Sequence, residues 1–200
     1  MKMNKKASII LIRNPILGKI KTRLAKDIGE ENTLKVYRIL LDYTKSVVTK
    51  VDCARLLFYS EFIDTNDIWE PNLFIKYVQI GSNLGERMSN AFKIALKDYE
   101  EVIIIGSDCY ELRPEILTLA FDQLKSHDIV LGPAKDGGYY LLGLKKFYPQ
   151  LFENKEWSTS TVFMDTLNDV KRLDLSIFLL PTLSDIDNVY DLKDSKFTQY

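Results

Sequence analysis

Histidine is almost absent: His127 is the single one in 200 residues. That excludes a His-built zinc site, and a Ser–His–Asp triad survives only if His127 belongs to it. His127 lies in Lys125-Ser126-His127-Asp128, between a helical pattern and a strand pattern, where an imidazole at a helix end meets a favourable dipole. Cysteine is nearly as scarce. Cys53 and Cys109 are too few for a disulfide framework and have no metal-ligand spacing. An excess of one charge is missing too. The 27 Lys and Arg against 28 Asp and Glu leave a formal net charge of −1, so a nucleic-acid partner gripped through its phosphates is not expected. No apolar run approaches the roughly 18 residues that cross a bilayer. The basic start is followed by one apolar stretch, Ala7–Ile12, and then by Arg13-Asn14-Pro15 with no small-residue cleavage site. No signal peptide and no membrane span are expected, and the location expected is cytoplasmic. Carboxylates, cations, backbone amides or a bound metal must then carry any chemistry.

What is present is the composition of a folded chain, 46% hydrophobic and 28% charged. Apolar runs alternate with helical periodicities, the βαβ pattern of an α/β sheet. Strands are expected at Ala7–Ile12, Ala54–Tyr59, Phe74–Gln79, Val102–Ile105, Ile129–Leu131, Tyr139–Leu144 and Leu175–Leu180. Helices are expected at Glu30–Lys50, Asn83–Lys97, from Pro114, and at Ser158–Val170, with Asn83 as a cap and Glu86 three residues on. Val102-Ile103-Ile104-Ile105 is apolar throughout, as a parallel strand buried on both faces requires. No repeat, low-complexity tract or linker divides the chain, so residues 1–200 are expected to form one domain.

In open α/β sheets, ligands bind beyond the carboxyl ends of the strands, which directs attention to five segments. After the first strand, Arg13, Lys19, Lys21 and Arg23 lie in a turn shaped by Pro15 and Gly18. Such a loop can hold a di- or triphosphate, or be a solvated basic loop. It is not a P-loop, because Arg13 and Ile20 stand where that motif needs Gly and Ser or Thr. After the third strand, Gly81, Gly85 and Arg87 flank a helix start that can approach an anion or a base, or simply cap the helix. After the fourth, Asp108 is placed for a divalent metal, or for a turn; Cys109 beside it reads as a small buried residue. Asp136-Gly137-Gly138-Tyr139 is either a type I′ hairpin turn or a close wall for a sugar or base. Asp185 and Asp187 alternate, so an extended segment points both to one side, as a metal or hydroxyl grip; Asp187 as a helix cap is the plain alternative.

Together these blocks resemble the rSAM/selenodomain-associated transferase family. The resemblance rests on Arg13…Pro15…Gly18…Lys21-Thr22-Arg23-Leu24, Gln79…Gly81…Leu84-Gly85…Arg87-Met88 and Ile105-Gly106-Ser107-Asp108-Cys109. It continues through Gly132-Pro133-Ala134…Asp136-Gly137-Gly138-Tyr139-Tyr140-Leu141-Leu142-Gly143, Trp157-Ser158-Thr159 and Asp185-Ile186-Asp187…Asp191-Leu192. The glycine–tyrosine block is the most specific. The family is assigned the GT-A, or nucleotide-diphospho-sugar transferase, fold: a mostly parallel central sheet flanked by helices. It is also similar to the molybdenum-cofactor and phospholactate guanylyltransferases.

The resemblance implies a role for each block. Arg13, Lys21 and Arg23 would grip the nucleotide's phosphates, while Gly81, Gly85 and Arg87 would line base and ribose. Asp108 would hold Mg²⁺ or Mn²⁺, with Asp187 as second ligand or orienting carboxylate. Asp136, Gly137, Gly138 and Tyr139, with Trp157, Ser158 and Thr159, would face the transferred group or acceptor. Two departures stand out: a single carboxylate, Asp108, where many such enzymes carry Asp-x-Asp, and Tyr110 where the family has proline. The expected activity is glycosyl transfer from a nucleotide sugar to a small-molecule acceptor, with Asp136 or Asp187 as base. The alternatives are nucleotidyl transfer from a nucleoside triphosphate with pyrophosphate release, and a non-catalytic nucleotide-binding module.

Overall fold

Continuous apolar runs become strands here because both faces of the sheet are covered. A computed structural model describes residues 5–195 and 197; of the basic start, residues 1–4 lie outside it. Seven strands form one sheet: β1 (Lys6–Ile12), β2 (Ala54–Tyr59), β3 (Ile75–Val78), β4 (Glu101–Ile105), β5 (Ile129–Pro133), β6 (Tyr139–Leu144) and β7 (Ile177–Leu179). Their order is β3-β2-β1-β4-β6-β5-β7. All neighbours are parallel except β6, which runs antiparallel to β4 and β5. The helices are α1 (Thr22–Ile28), α2 (Glu30–Val48), α3 (Leu84–Ala95), α4 (Pro114–Leu124), α5 (Val162–Arg172) and α6 (Val189–Asp194). This is the expected mostly parallel sheet flanked by helices.

Alternation along the strands divides the core. Ile10, Ile12, Ile103 and Ile105 pack with Leu41 of α2 and Phe121 of α4. Ile9, Val102, Ile104 and Leu142 pack with Met88 and Phe92 of α3 and Val170 of α5. A third cluster, Leu24, Val36, Leu40, Ile186 and Leu192, joins α1, α2 and α6 away from the sheet. Among the described residues no helix is long and apolar enough to cross a membrane.

Four expectations are corrected. Helix α5 starts at Val162 rather than Ser158, because Ser158 sits in the left-handed region at φ +66°. β7 is shorter than Leu175–Leu180. Residues 134–138 do connect an antiparallel pair, but not as a type I′ turn, which needs two positive φ values where only Gly137 (+90°) has one. Instead Ala134 N–H donates to Gly138 O (3.0 Å), and the Asp136 carboxylate accepts from Gly138 N–H (2.9 Å). The cap of α6 is Asn188, not Asp187: its side chain accepts from the Tyr190 and Asp191 amides, and Asp191 returns the bond.

Candidate functional site

The strand order reverses beside β1, with β2 and β3 to one side and β4 to the other. The segments leaving β1 and β4 therefore lie side by side at the carboxyl edge, where open α/β sheets bind ligands. Lys21, at the start of α1, adopts a left-handed backbone (φ +39°). Leu24, three residues on, is buried with Ile186 and Leu192, so one apolar cluster draws both α1 and the segment before α6 onto α2. This brings together Lys21 and Asp187, 166 residues apart. The Lys21 ammonium donates to Asp187 Oδ1 (3.1 Å), to Asp108 Oδ2 (3.3 Å) and to the Ile186 carbonyl. The Ile186 amide in turn donates to the Asp108 carbonyl (3.0 Å). Burial alone would lower the Lys21 pKa, but the two carboxylates more than offset it and hold the ammonium above its ordinary range.

Asp185 lies between the β4 loop and the β5–β6 loop. The Leu183 amide donates to the Pro133 carbonyl (3.1 Å), and the Ser184 amide to Glu111 Oε2 (2.8 Å). The residue is partly exposed, but its Oδ1 is shut off from solvent with no hydrogen-bond partner. Burial, then the charges of Asp108, Asp136 and Asp187, push this carboxyl well above the usual range. Among the described residues, no three His, Cys, Asp or Glu side chains gather as a closed metal cluster.

The remaining expected residues divide. Arg13 and Arg23 are exposed, and among the described residues no hydrogen bond or ion pair holds either guanidinium, while Lys19 pairs with Glu61 (3.1 Å). Arg87 is not a loose helix residue: it donates to the Gly81 carbonyl (3.1 Å) and to Gln79 Oε1 (3.4 Å), bracing the loop before α3. Asn83 caps α3 as expected, accepting from the Glu86 amide (2.9 Å). Gly85 lies flat against the Trp157 indole with no room for a Cβ, which joins this loop to Trp157-Ser158-Thr159. Gly137 packs as closely on the Ser160 backbone, and its carbonyl accepts from the Phe163 amide (2.9 Å). Gly138 follows in the bond to Asp136, which is itself exposed. Ser158 and Thr159 are exposed, with Thr159 Oγ1 donating to the Glu156 carbonyl (2.7 Å). Tyr139 packs against the α3–α5 side of the core. Its buried hydroxyl lies near that of Thr166, which donates to the Val162 carbonyl (2.8 Å) and keeps its lone pairs toward the phenol.

Three organising side chains had no role of their own in the sequence. Gln79 Nε2 donates to the Ile12 and Phe58 carbonyls (2.9 Å each), pinning the α3 loop to β1 and β2. Buried Asn14 clamps the loops after β1 and β2, accepting from the Glu61 amide (3.0 Å) and donating to the Phe62 carbonyl (2.9 Å). Tyr37 reaches the same edge from α2. Asn14 and Gln79 are polar groups at strand ends and Tyr37 lies on the buried face of α2, signals too common to single out.

Comparison with known proteins bears on this arrangement. A family model described as uncharacterized protein conserved in bacteria (DUF2064) matches residues 43–159, which includes Asp108 and Asp136 but neither Lys21 nor Asp187. The 2-phospho-L-lactate guanylyltransferase of Methanocaldococcus jannaschii is 27% identical over 182 residues, 87% of this chain and 74% of that protein. Among solved structures, a provisionally assigned nucleotide-diphospho-sugar transferase from Desulfovibrio desulfuricans G20 superposes with a TM-score of 0.87 at 28% identity, over 98% of this chain and 91% of its own. The inositol-1-phosphate CTP transferase of T. maritima (TM-score 0.59, 18% identity, 96% and 93% covered) shares the fold. So does Rv0371c of Mycobacterium tuberculosis H37Rv in complex with manganese (TM-score 0.56, 12% identity, 96% and 97% covered). These relatives are transferases or share a transferase fold, and one holds a divalent metal; they do not bear on the rSAM part of the resemblance.

Proposed function

The chain belongs to the DUF2064 family, and from that premise we propose that it is a nucleotidyltransferase. It would move the nucleoside monophosphate unit of a nucleoside triphosphate onto the phosphate group of a small acceptor, releasing pyrophosphate. One observation carries this: the Lys21 ammonium, held between Asp108 and Asp187 at the carboxyl edge of β1 and β4, with the Arg13 guanidinium, unengaged among the described residues, nearby in sequence. The likeness to a guanylyltransferase across most of the chain supports nucleotidyl over glycosyl transfer, reversing the order in which the sequence alone ranks them.

In the reaction, an oxygen of the acceptor phosphate bonds to the α-phosphorus. The bridging oxygen between the α- and β-phosphates takes the breaking bond's electrons and leaves with pyrophosphate. The nucleophile is already ionised at neutral pH, so no side-chain base is required. Lys21 and Arg13 would meet the charge that builds on the phosphate oxygens, Lys as a point charge and Arg as a bidentate fork. Arg23, on the first turn of α1, would extend that grip.

Asp108 and Asp187 suit a Mg²⁺ or Mn²⁺ ion. Both carboxylates are partly exposed and each gives only one oxygen to Lys21, and Mg²⁺ needs only one or two carboxylates beside phosphate oxygens and water. When bound, such an ion supplies charge neutralisation at the phosphates. The loop of Gly81, Gly85 and Arg87 would line base and ribose. Gly137, Gly138 and the backbone of Tyr139, with Trp157, Ser158 and Thr159, would form the acceptor side. Residues 1–200 would act as one unit, in the cytoplasm where nucleoside triphosphates are available.

Glycosyl transfer is the second reading, favoured by the D. desulfuricans structure. There an acceptor hydroxyl would attack the anomeric carbon, with Asp136 or Asp187 as base and a nucleoside diphosphate leaving. The two separate in one assay: GTP or CTP with Mg²⁺ or Mn²⁺ and a panel of phosphorylated hydroxy acids and sugars, against nucleotide sugars with the same panel. Acceptor-dependent pyrophosphate release supports nucleotidyl transfer. Nucleoside diphosphate release from a nucleotide sugar overturns it, and tight binding without turnover leaves a nucleotide-binding module.

A further inference from the structure

Helix α2 reaches the phosphate site through one side chain. The Tyr37 ring is buried between α2 and the sheet, and its hydroxyl lies past the carboxyl ends of β1 and β4. The last registered pair between those strands is Ile10 with Ile105; Arg13 and Ser107 lie beyond it. There the Tyr37 oxygen accepts from the Arg13 amide (2.9 Å), donates to the Arg13 carbonyl (3.1 Å) and lies 3.2 Å from Ser107 Oγ. A phenol has one proton and two lone pairs, so the set closes completely when Ser107 donates to Tyr37. Both backbone groups of Arg13, past the end of the β1–β4 ladder, are thereby paired. Burial raises the Tyr37 pKa, opposed by the bonds to Ser107 and Arg13, so the phenol keeps its proton at neutral pH.

We propose that Tyr37 is a positioning residue for the phosphate site: its hydroxyl fixes the spacing between the loop that carries Arg13 and Lys21 and the loop that carries Asp108. This rests on the nucleotidyltransferase reading for the ligand, and adds a residue outside the two loops themselves. A triphosphate held from both loops is sensitive to their separation, and this hydroxyl bonds to both.

The test is calorimetric titration of GTP and of CTP, each with Mn²⁺, into wild type, Tyr37→Phe, Tyr43→Phe and Ser107→Ala. Tyr43 is a matched control on the same helix, because its hydroxyl donates to the Leu112 carbonyl (2.7 Å). Tyr37→Phe is expected to weaken nucleotide binding about tenfold, the worth of roughly one buried hydrogen bond. Without nucleotide, its melting temperature should fall no further than that of Tyr43→Phe. Ser107→Ala should move affinity the same way by less, and adding it to Tyr37→Phe should cost nothing more. If Tyr37→Phe does not fold, Ser107→Ala decides alone. Binding by Tyr37→Phe within about twofold of wild type, or equal weakening by Tyr43→Phe, overturns the proposal while leaving the nucleotidyltransferase reading intact. A wild type that binds neither nucleotide overturns both.

Discussion

Two buried lysines in this chain do opposite things. Lys21 has a side chain 6% exposed, yet its partners Asp108 and Asp187 are 36% and 44% exposed and stand at the carboxyl edge of the sheet. Lys155 is 1% exposed and its partner Asp169 only 12%; Arg172 closes the other oxygen of Asp169 at 2.6 Å. Both are ion pairs around a desolvated ammonium, and burial alone would not tell them apart. The difference is where the negative charge faces. The Asp169 carboxylate is engaged at both oxygens, by buried Lys155 and by the exposed Arg172, so it offers nothing to a ligand. Asp108 and Asp187 share one cation and keep part of their surface in water, so a phosphate-bound metal or a phosphate itself can exchange with them. A buried charge marks a site only when its partners remain accessible.

Removing each lysine breaks the comparison most sharply. Lys21→Met is expected to lower pyrophosphate release by at least ~100-fold, the scale of losing one fixed cation at a phosphoryl centre. Its melting temperature should change little, because solvent screens the carboxylates left behind. Lys155→Met should do the reverse, costing about 3 kcal/mol by leaving Asp169 short of one cation inside the fold. That is a drop of roughly 6–12 °C in melting temperature for a chain of this size, with turnover per folded molecule retained. Equal effects of the two variants on activity would show that the open and sealed clusters are not functionally distinct.

The sequence discloses the sealed part of the molecule far better than the open part. Val102–Ile105 reads as a central strand because burial on both faces admits nothing polar, and Asn83 reads as a cap because the amides of α3 need one. Helix α1 leaves no such mark, and α6 leaves only its cap, read one residue early at Asp187. They are 7 and 6 residues long, and what makes them helical is the contact of Leu24, Ile186 and Leu192 with α2, a tertiary fact without local periodicity. The meeting of Lys21 with Asp187 follows from that same contact, so composition showed the residue types while topology alone made the pair. Motif reading also overstates the paired tyrosines. Tyr140 covers Gly132 and donates to the Pro181 carbonyl (2.9 Å), a packing role in the interior.

The contact between the β5–β6 loop and the turn before α5 can be broken at the backbone. Gly137 combines φ +90° with a Ser160 backbone that leaves no space for a Cβ, so nothing flexible can yield. Gly137→Ala is expected to cost about 2–4 kcal/mol, overpacking and a left-handed alanine together. Gly138→Ala, one residue on, meets only the movable Asp136 carboxylate at 3.2 Å and should cost less than about 1 kcal/mol. Melting curves of the two variants measure the difference, and similar values would mean that the turn gives way rather than resisting.

The smallest expected effect sits on the open side and has the opposite sign. Asp185 keeps an oxygen buried without a partner, among the charges of Asp108, Asp136 and Asp187, and its carboxyl is raised well above the usual range. Between the unfolded pKa, about 3.9, and the raised folded value, the folded chain holds a proton that the unfolded chain has lost. Stability contributed by this group is therefore complete below that unfolded value and is lost as the pH rises through the folded one. Asp185→Asn removes the charge and with it the dependence. In chelator-treated buffer the variant should match wild type near pH 4 and exceed it at pH 7 by about 1 kcal/mol, roughly 2–4 °C in melting temperature. Parallel melting curves across that range would mean that the carboxyl finds a partner in solution. A variant that gains stability while losing Mn²⁺-dependent nucleotide binding would show that the open cluster keeps its charge at the fold's expense, the trade expected where function and packing compete.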